Sequence, residues 1–380
     1  MKVGLITLQN SYSYGASLQA LATYEVYKRL GCDVTFVNYV NCHEQNQNHL
    51  ISRRSDISPI KNIIYTIENI FMGQLRNRKR AFDDFHETLV KTRPYTNINE
   101  MSELEYDVMV SGSDQLWNPA IFGEIDTAYF LNFGHAGLRM AYAASCGSHV
   151  YSEEEWGKIL PLLERYDAIS TREDFLRGQL QKRFPEKRIM KVLDPTLLLS
   201  KDEWISEFGK VGCSASNLRE HYILVYMINV PYKEYKRRYA HIVKYCKEKL
   251  GLKAYAISFN SMFIFYGCDR NITCATPYDL IQLINNADLV ITSSFHGVAF
   301  SINLNTKFIA LQTSNPKRVE ELLDVTGLLN RLVDKFDARQ CKELLENIDF
   351  TFANLSLKRK RHGSLQWIMD QISTKANMTI

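Results

Sequence analysis

The sequence contains no run approaching the about 18 uninterrupted apolar residues of a bilayer-spanning helix, so no helix is expected to cross a membrane. Its first residues, Met1-Lys2-Val3-Gly4-Leu5-Ile6-Thr7, meet Gln9, Asn10 and Ser11 too soon to form a signal-peptide core, and a cytoplasmic location is expected. Cysteine occurs eight times but never as C-x-x-C or at zinc spacing, which points to reduced, mostly buried thiols. Neither sign of charge is in excess. Lys plus Arg number 46 and Asp plus Glu 42, and a net charge of +4 is too balanced for a protein whose main partner is nucleic acid. That balance leaves room for a local cationic pocket around a small anion. No G-x-G-x-x-G follows the first apolar run, and there is no Walker A, G-x-S-x-G, D-x-D or His/Asp/Glu cluster at metal spacing. Dinucleotide, P-loop and nucleophile-elbow chemistry are therefore not expected, and neither a metal nor a cofactor is called for.

What is present is a chain of 380 residues with 46 % hydrophobic and 23 % charged residues, enough for two globular domains. Tyr (21), Phe (19) and four Trp make it rich in aromatics, which fill large cores and also stack on sugars. Apolar runs alternate with helical periodicity from the start. Strands are expected at 2–8, 33–39, 106–111, 140–144, 167–171 and 189–193, and again at 222–228, 253–259, 287–292 and 307–311. Helices fall between them, with Ser152 as the cap of one over 153–166. This rhythm predicts an α/β protein of two Rossmann-like domains with parallel sheets facing a cleft. The expected divisions are 1–208, 221–353 and a C-terminal helix in 354–380 that packs back on the N-terminal domain. Residues 41–56 read as a polar loop, and 209–220 as the linker. Basic runs at 76–80 and 358–361 fit either solvated helix faces or a peripheral contact with an anionic membrane.

In open parallel sheets, ligands bind beyond the carboxyl ends of strands. Four strand exits here are small and polar. They are Gly112-Ser113-Asp114-Gln115-Leu116-Trp117-Asn118, Ser145-Cys146-Gly147, Ser170-Thr171-Arg172-Glu173 and Thr292-Ser293-Ser294-Phe295-His296-Gly297. Each also reads as ordinary turn and cap chemistry. His296 falls at a helix start, where backbone N–H groups favour an anion and imidazole supplies a hydrogen bond or a proton. Arg172 suits bidentate recognition of carboxylate or phosphate, or a surface pair with Glu173 or Asp174. Asp114 suits general-base work or a turn cap, and Trp117 a sugar face or the core.

These residues also carry a resemblance. The strings Tyr14-Gly15-Ala16-Ser17-Leu18-Gln19-Ala20 (with Asn10 before them), Gly112–Asn118, Tyr142-Ala143-Ala144-Ser145-Cys146-Gly147, Thr171-Arg172-Glu173, Asp194-Pro195-Thr196 and Ser293-Ser294-Phe295-His296-Gly297 together resemble the polysaccharide pyruvyl transferase family. The resemblance implies a GT-B-like pair of domains. It also implies transfer of the pyruvyl group of phosphoenolpyruvate, a co-substrate, to a sugar of a cell-surface glycan or its precursor. The products are a pyruvate ketal and phosphate. His296 and Arg172 match positions implicated at phosphoenolpyruvate in the family. Some members carry R-x-H-G where this chain has Ser294, so a cation is missing there; Lys317 or Arg318 is expected to supply it.

On this reading His296 and Asp114 are catalytic, while Arg172, Ser294, Gly297, Lys317 and Arg318 bind phosphoenolpyruvate. Asn10, Tyr14, Gln115, Trp117, Asn118 and Ser145 bind the acceptor, a glycan or lipid-linked sugar. Two other classes stay open: a GT-B-type glycosyltransferase using a nucleotide-sugar, and a non-catalytic glycan-binding relative.

Overall fold

The computed structural model describes residues 1–41, 58–209, 218, 220–228, 230–313 and 317–378. The expected loop at 41–56 and linker at 209–220 lie almost wholly outside them. The described chain forms two compact units. The first comprises Met1–His49, His86–Leu199 and Arg359–Ile380, and the second Leu50–Phe85 and Ser200–Lys358.

The first unit holds a six-stranded sheet in the order β2-β1-β3-β4-β5-β6, parallel throughout. Its strands are β1 (Lys2–Ile6), β2 (Asp33–Phe36), β3 (Glu105–Ser111), β4 (His135–Ala144), β5 (Ala168–Thr171) and β6 (Met190–Lys191). The second unit repeats the plan as β12-β11-β10-β7-β8-β9, again parallel. Here the strands are β7 (Tyr222–Tyr226), β8 (Lys253–Ile257), β9 (Arg270–Ile272), β10 (Leu289–Thr292), β11 (Phe308–Leu311) and β12 (Leu332–Val333). The two Rossmann-like domains anticipated from the strand–helix rhythm are thus present. Sequence periodicity passed over β9 and β12. Arg270-Asn271-Ile272 offers one apolar residue, and β12 is two residues long, so neither carries a period.

Buried Val, Ile and Leu fill the strand interiors, as parallel sheets covered on both faces require. The first core packs Ile6, Met109, Trp117, Tyr129, Phe130, Trp156 and Ile169. The second packs Ile223, Val225, Ile242, Leu289, Ile291 and Ile309. Local chemistry sets the helix starts. Ser152 accepts the Glu155 N–H at 3.2 Å while Glu155 accepts the Ser152 N–H at 2.7 Å, a reciprocal cap. Thr276 and Asp279 do the same before Pro277.

The grouping of the chain departs from a single break near residue 209. Helices Pro59–Ile70 and Gln74–Thr88, part of the expected 1–208 domain, join the second unit as far as Phe85. Phe82 meets the Phe259 ring edge-on, and Phe85 packs 5.2 Å from Tyr278. From Arg359 onward, the long helix Thr351–Met378 belongs to the first unit. Ser364 Oγ accepts the Leu193 N–H at 3.0 Å, and Arg361 Nε donates to the Leu197 carbonyl at 2.8 Å. One member of the basic run at 358–361 therefore works inside its own unit.

Candidate active site

In each sheet the strand order reverses at one point, where neighbouring connections leave in opposite directions and open a crevice. In the first sheet that point lies between β1 and β3, in the second between β7 and β10. Both carry sequence motifs at their carboxyl ends.

At the first point, β3 runs into Gly112-Ser113-Asp114. Gly112 has φ +117°, and a Cβ there would collide with the Tyr142 carbonyl, so only glycine fits. Ser113 is fully buried. Its N–H donates to Gln19 Oε1 at 3.2 Å, its hydroxyl to the Ala143 carbonyl at 3.1 Å, and its carbonyl accepts the Thr7 hydroxyl at 3.1 Å. Gln19 Nε2 donates to Thr7 Oγ1 at 2.7 Å, closing the network. The Gln19 of the Tyr14–Ala20 motif thus holds the turn that presents Asp114. Asp114 itself sits at φ +72°, a conformation Asp tolerates better than most side chains, and its Oδ1 accepts the Gln115 N–H at 2.9 Å.

Arg172, at the end of β5, is buried, so the surface pair with Glu173 or Asp174 becomes a buried contact with Glu173 among other acids. Its Nη1 meets Asp194 Oδ2 at 2.7 Å, Nη2 meets Asp114 Oδ1 at 3.5 Å and Nε lies 3.6 Å from Glu173 Oε2. Burial works against its charge, but Asp194, Asp114 and Glu173 outweigh it and raise the guanidinium pKa further. Asp194 is fixed in turn, accepting the Thr196 N–H at 3.0 Å and its hydroxyl at 2.7 Å. Glu173 Oε1 accepts the Ser145 hydroxyl at 2.6 Å. An incoming anion would meet three carboxylates around this guanidinium. The geometry therefore favours Arg172 as the group that holds Asp114 and Asp194. Asp194 stands in a motif the sequence supplied, yet a carboxylate at another strand exit gives no sign of which cation it faces.

The remaining residues of the first unit fall into two sets. Asn10 donates from Nδ2 to Asn38 Oδ1 at 2.8 Å and accepts from Lys91 Nζ at 3.4 Å, and Tyr14 begins the helix Tyr14–Arg29 as a buried side chain. Gln115 and Asn118 are half-buried and bonded to each other at 3.0 Å, with Asn118 also capping Pro119–Phe122. Ser145 Oγ accepts the Gly147 N–H at 3.1 Å. Trp117 is a core residue. It is 2 % exposed, stacked on Phe130 with centroids 5.0 Å apart, and its indole N–H donates to the Tyr129 carbonyl at 3.0 Å. Its ring is covered where a sugar would have to stack.

At the second point, β10 runs beside β7 with Thr292 opposite Tyr226. Ser293 ties the strand ends together, accepting the Ile228 N–H at 2.8 Å and donating to the Ile228 carbonyl at 3.0 Å. Ser294 caps the helix Phe295–Asn303 by accepting the Gly297 N–H at 3.2 Å. His296 lies in the first turn at 7 % exposure, in T-shaped contact with Phe295 at 5.2 Å. Tyr226 is buried, which raises its hydroxyl pKa, with the Ser294 side chain opposing part of the rise. Arg318, on the helix Lys317–Val325, places its guanidinium carbon 5.7 Å from the Phe295 ring centroid. A cation thus stands beside the loop whose motif lacks one, whereas Lys317 is exposed.

Gly297 is required by close packing. A Cβ there would collide with Thr292 Oγ1, and that oxygen is held by the Tyr226 carbonyl at 2.6 Å and the Ser294 N–H at 3.0 Å. Gly297→Ala is expected to cost roughly 1–3 kcal/mol of stability through this overpacking, measured by urea denaturation. An unchanged midpoint would show that Thr292 yields freely. Among the described residues, no group of three or more His, Cys, Asp or Glu is placed to hold a metal ion. Also among them, no helix is long and apolar enough to cross a membrane.

Comparison with known proteins agrees with this layout. A family model described as polysaccharide pyruvyl transferase matches residues 14–315, which takes in both reversal points. No curated protein matches. Among solved structures, the chain is similar to UDP-N-acetylglucosamine 2-epimerase from Rickettsia bellii, with 12 % identity and TM-score 0.51 over 98 % of this chain and 96 % of that one. It is likewise similar to UDP-GlcNAc 2-epimerase from Methanocaldococcus jannaschii in complex with UDP-GlcNAc and UDP. There the identity is 12 % and the TM-score 0.50, over 95 % of this chain and 99 % of the other. At such identity these likenesses show the fold alone, the GT-B-like class of two Rossmann-like domains.

Proposed function

Since the chain belongs to the polysaccharide pyruvyl transferase family, a family of transferases, we propose that it moves the pyruvyl group of phosphoenolpyruvate onto a sugar of a cell-surface glycan or its precursor. The observation that carries this reading is His296. It is a buried imidazole in the first turn of a nine-residue helix, at the carboxyl end of β10 where the strand order reverses. A helix start favours anions, and phosphoenolpyruvate carries both a carboxylate and a phosphate. Ser294, the backbone of Gly297 and the cations Lys317 and Arg318 complete the donor side. Arg318, beside Phe295, supplies the charge that an arginine at position 294 would otherwise bring.

A proton adds to the methylene carbon, leaving C2 electrophilic, and a sugar hydroxyl attacks C2 and gives up its proton. The C2–O bond to phosphate breaks, and a second hydroxyl closes on C2 to form the ketal. One hydroxyl proton replaces that used at the methyl group, and the other leaves with phosphate. His296 serves as phosphate ligand or general acid. Asp114, kept in place by Arg172, accepts a hydroxyl proton.

Incubation with phosphoenolpyruvate and a panel of lipid-linked or nitrophenyl sugars tests the reading, followed as released phosphate and as the mass shift of a ketal. Phosphate release with one or more acceptors is expected. No release with any acceptor would overturn the reading. A thermal shift given by nucleoside diphosphates instead of phosphoenolpyruvate would replace it with a nucleotide-sugar glycosyltransferase.

A further inference from the structure

The helix Pro59–Ile70, within the second unit, reverses the usual order of apolar inside and polar outside. Ile60, Ile63, Ile64, Ile67 and Ile70 recur at helical spacing and are all exposed, Ile60 at 70 %. The half-buried residues of the same helix include Asn62, Thr66 and Asn69, which fall four and three apart on one face. Phe71 follows at 70 % exposure.

A second segment extends the apolar surface. The Ser261 N–H donates to the Met72 carbonyl at 3.1 Å, and Asn77 Nδ2 donates to the Phe259 carbonyl at 2.7 Å and to Ser261 Oγ at 2.6 Å. These bonds dock the loop that carries Met262, Phe263 and Ile264 beside the end of the isoleucine helix, and all three side chains are exposed. The Ser261–Met72 bond thus brings this exposed apolar loop next to Phe71, at the end of the apolar ridge that the helix forms. Next to it, on the helix Gln74–Thr88, Arg76, Lys79 and Arg80 are exposed. The exposed acidic residues of that helix, Asp84 and Glu87, come at least one turn further on. Glu68 is half-buried and feels the charge of Arg78.

We propose that this ridge seats in the interfacial layer of an anionic lipid bilayer, with Ile60, Ile63, Ile64, Ile67, Phe71 and Phe263 among the acyl chains and Arg76, Lys79 and Arg80 on the headgroups. Charge selects this occupant. A two-fold contact between two copies uses the same patch on both, so it would bring the same three cations together at its rim. An anionic surface supplies the opposite sign. The proposal is independent of the reaction, because its readout is vesicle binding.

Sedimentation of the full chain with vesicles tests it, using phosphatidylcholine alone and phosphatidylcholine mixed with phosphatidylglycerol. The chain is expected to pellet with the mixed vesicles and roughly tenfold less with phosphatidylcholine alone. Ile63→Asp/Ile67→Asp/Phe71→Asp should lose roughly tenfold or more of the binding to mixed vesicles. Arg76→Gln/Lys79→Gln/Arg80→Gln should abolish the preference for the anionic lipid. The altered side chains are exposed, so the thermal transition should stay in place. The milder Phe263→Ser should weaken binding even if the triple apolar variant fails to fold. A wild-type chain that stays in solution with mixed vesicles overturns the proposal, as do apolar variants that fold and pellet like wild type. So does a dimer, seen by light scattering, that the apolar variants dissociate while vesicle binding is absent.

Discussion

Arg172→Ala is expected to destabilise the first unit by about 3–5 kcal/mol, the usual result of removing one partner from a buried ion pair. The side chains of Arg172, Asp194 and Glu173 are 3 %, 0 % and 2 % exposed. Without the guanidinium, Asp194 Oδ2 loses a donor at 2.7 Å, and Asp114 and Glu173 lose the cation that faces them at 3.5 and 3.6 Å. The cost therefore comes less from the lost attraction than from the charge left behind. Chemical denaturation measures it, and a midpoint within experimental error of wild type would refute the arrangement. Pairing Arg172→Met with Asp194→Asn should recover part of the loss, because the double change removes charge of both signs. Arg172→Lys asks the second question. It keeps one positive charge but not the fork that reaches three acids. A phosphoenolpyruvate isotherm unchanged in this variant would leave Arg172 a positioning residue for Asp114, and a large loss of affinity at intact stability would make it a ligand of the donor.

His296→Ala should lower phosphate release from phosphoenolpyruvate by about 10²–10⁴-fold, the span expected when a positioned acid–base group is removed. The imidazole is buried in the first turn after β10, yet the helix start depends on Ser294 for its cap and on Gly297 for its fit against Thr292. The fold should therefore survive the change, with an unaltered far-ultraviolet spectrum. His296→Gln separates the two roles left to this residue. Glutamine offers a hydrogen bond but does not titrate. Recovery of phosphoenolpyruvate binding without turnover would mark His296 as the acid, and recovery of both as a phosphate ligand. Near-normal turnover in His296→Ala would remove it from the mechanism.

The same two residues show how far the sequence could be read. The strand ending at Thr292 and the helix start at His296 were legible because an apolar run, a serine cap and a glycine lie consecutively. For Arg172 only the pair with its neighbour Glu173 was legible, because Asp114 and Asp194 reach it from two other strand exits. Trp117 gave two readings in the sequence, and only its stacking on Phe130 chose the core. The isoleucines of the helix Pro59–Ile70 stand at helical spacing in the sequence, but that spacing does not say which face is turned outward. Helical periodicity fixes the angle between residues and is silent about the surroundings.

The strand–helix alternation, the two parallel α/β sheets that follow from it, and the family all rest on local runs and ordered motifs, and so can be read along the chain. Tertiary structure alone decided that Asp114 and Arg172 face each other at 3.5 Å, that Gln19 holds the Ser113 turn, and that five isoleucines remain outside. The physical reason is range. Apolar period, caps and glycine turns are settled within a few residues, whereas an ion pair or a buried network depends on which strands the sheet sets side by side.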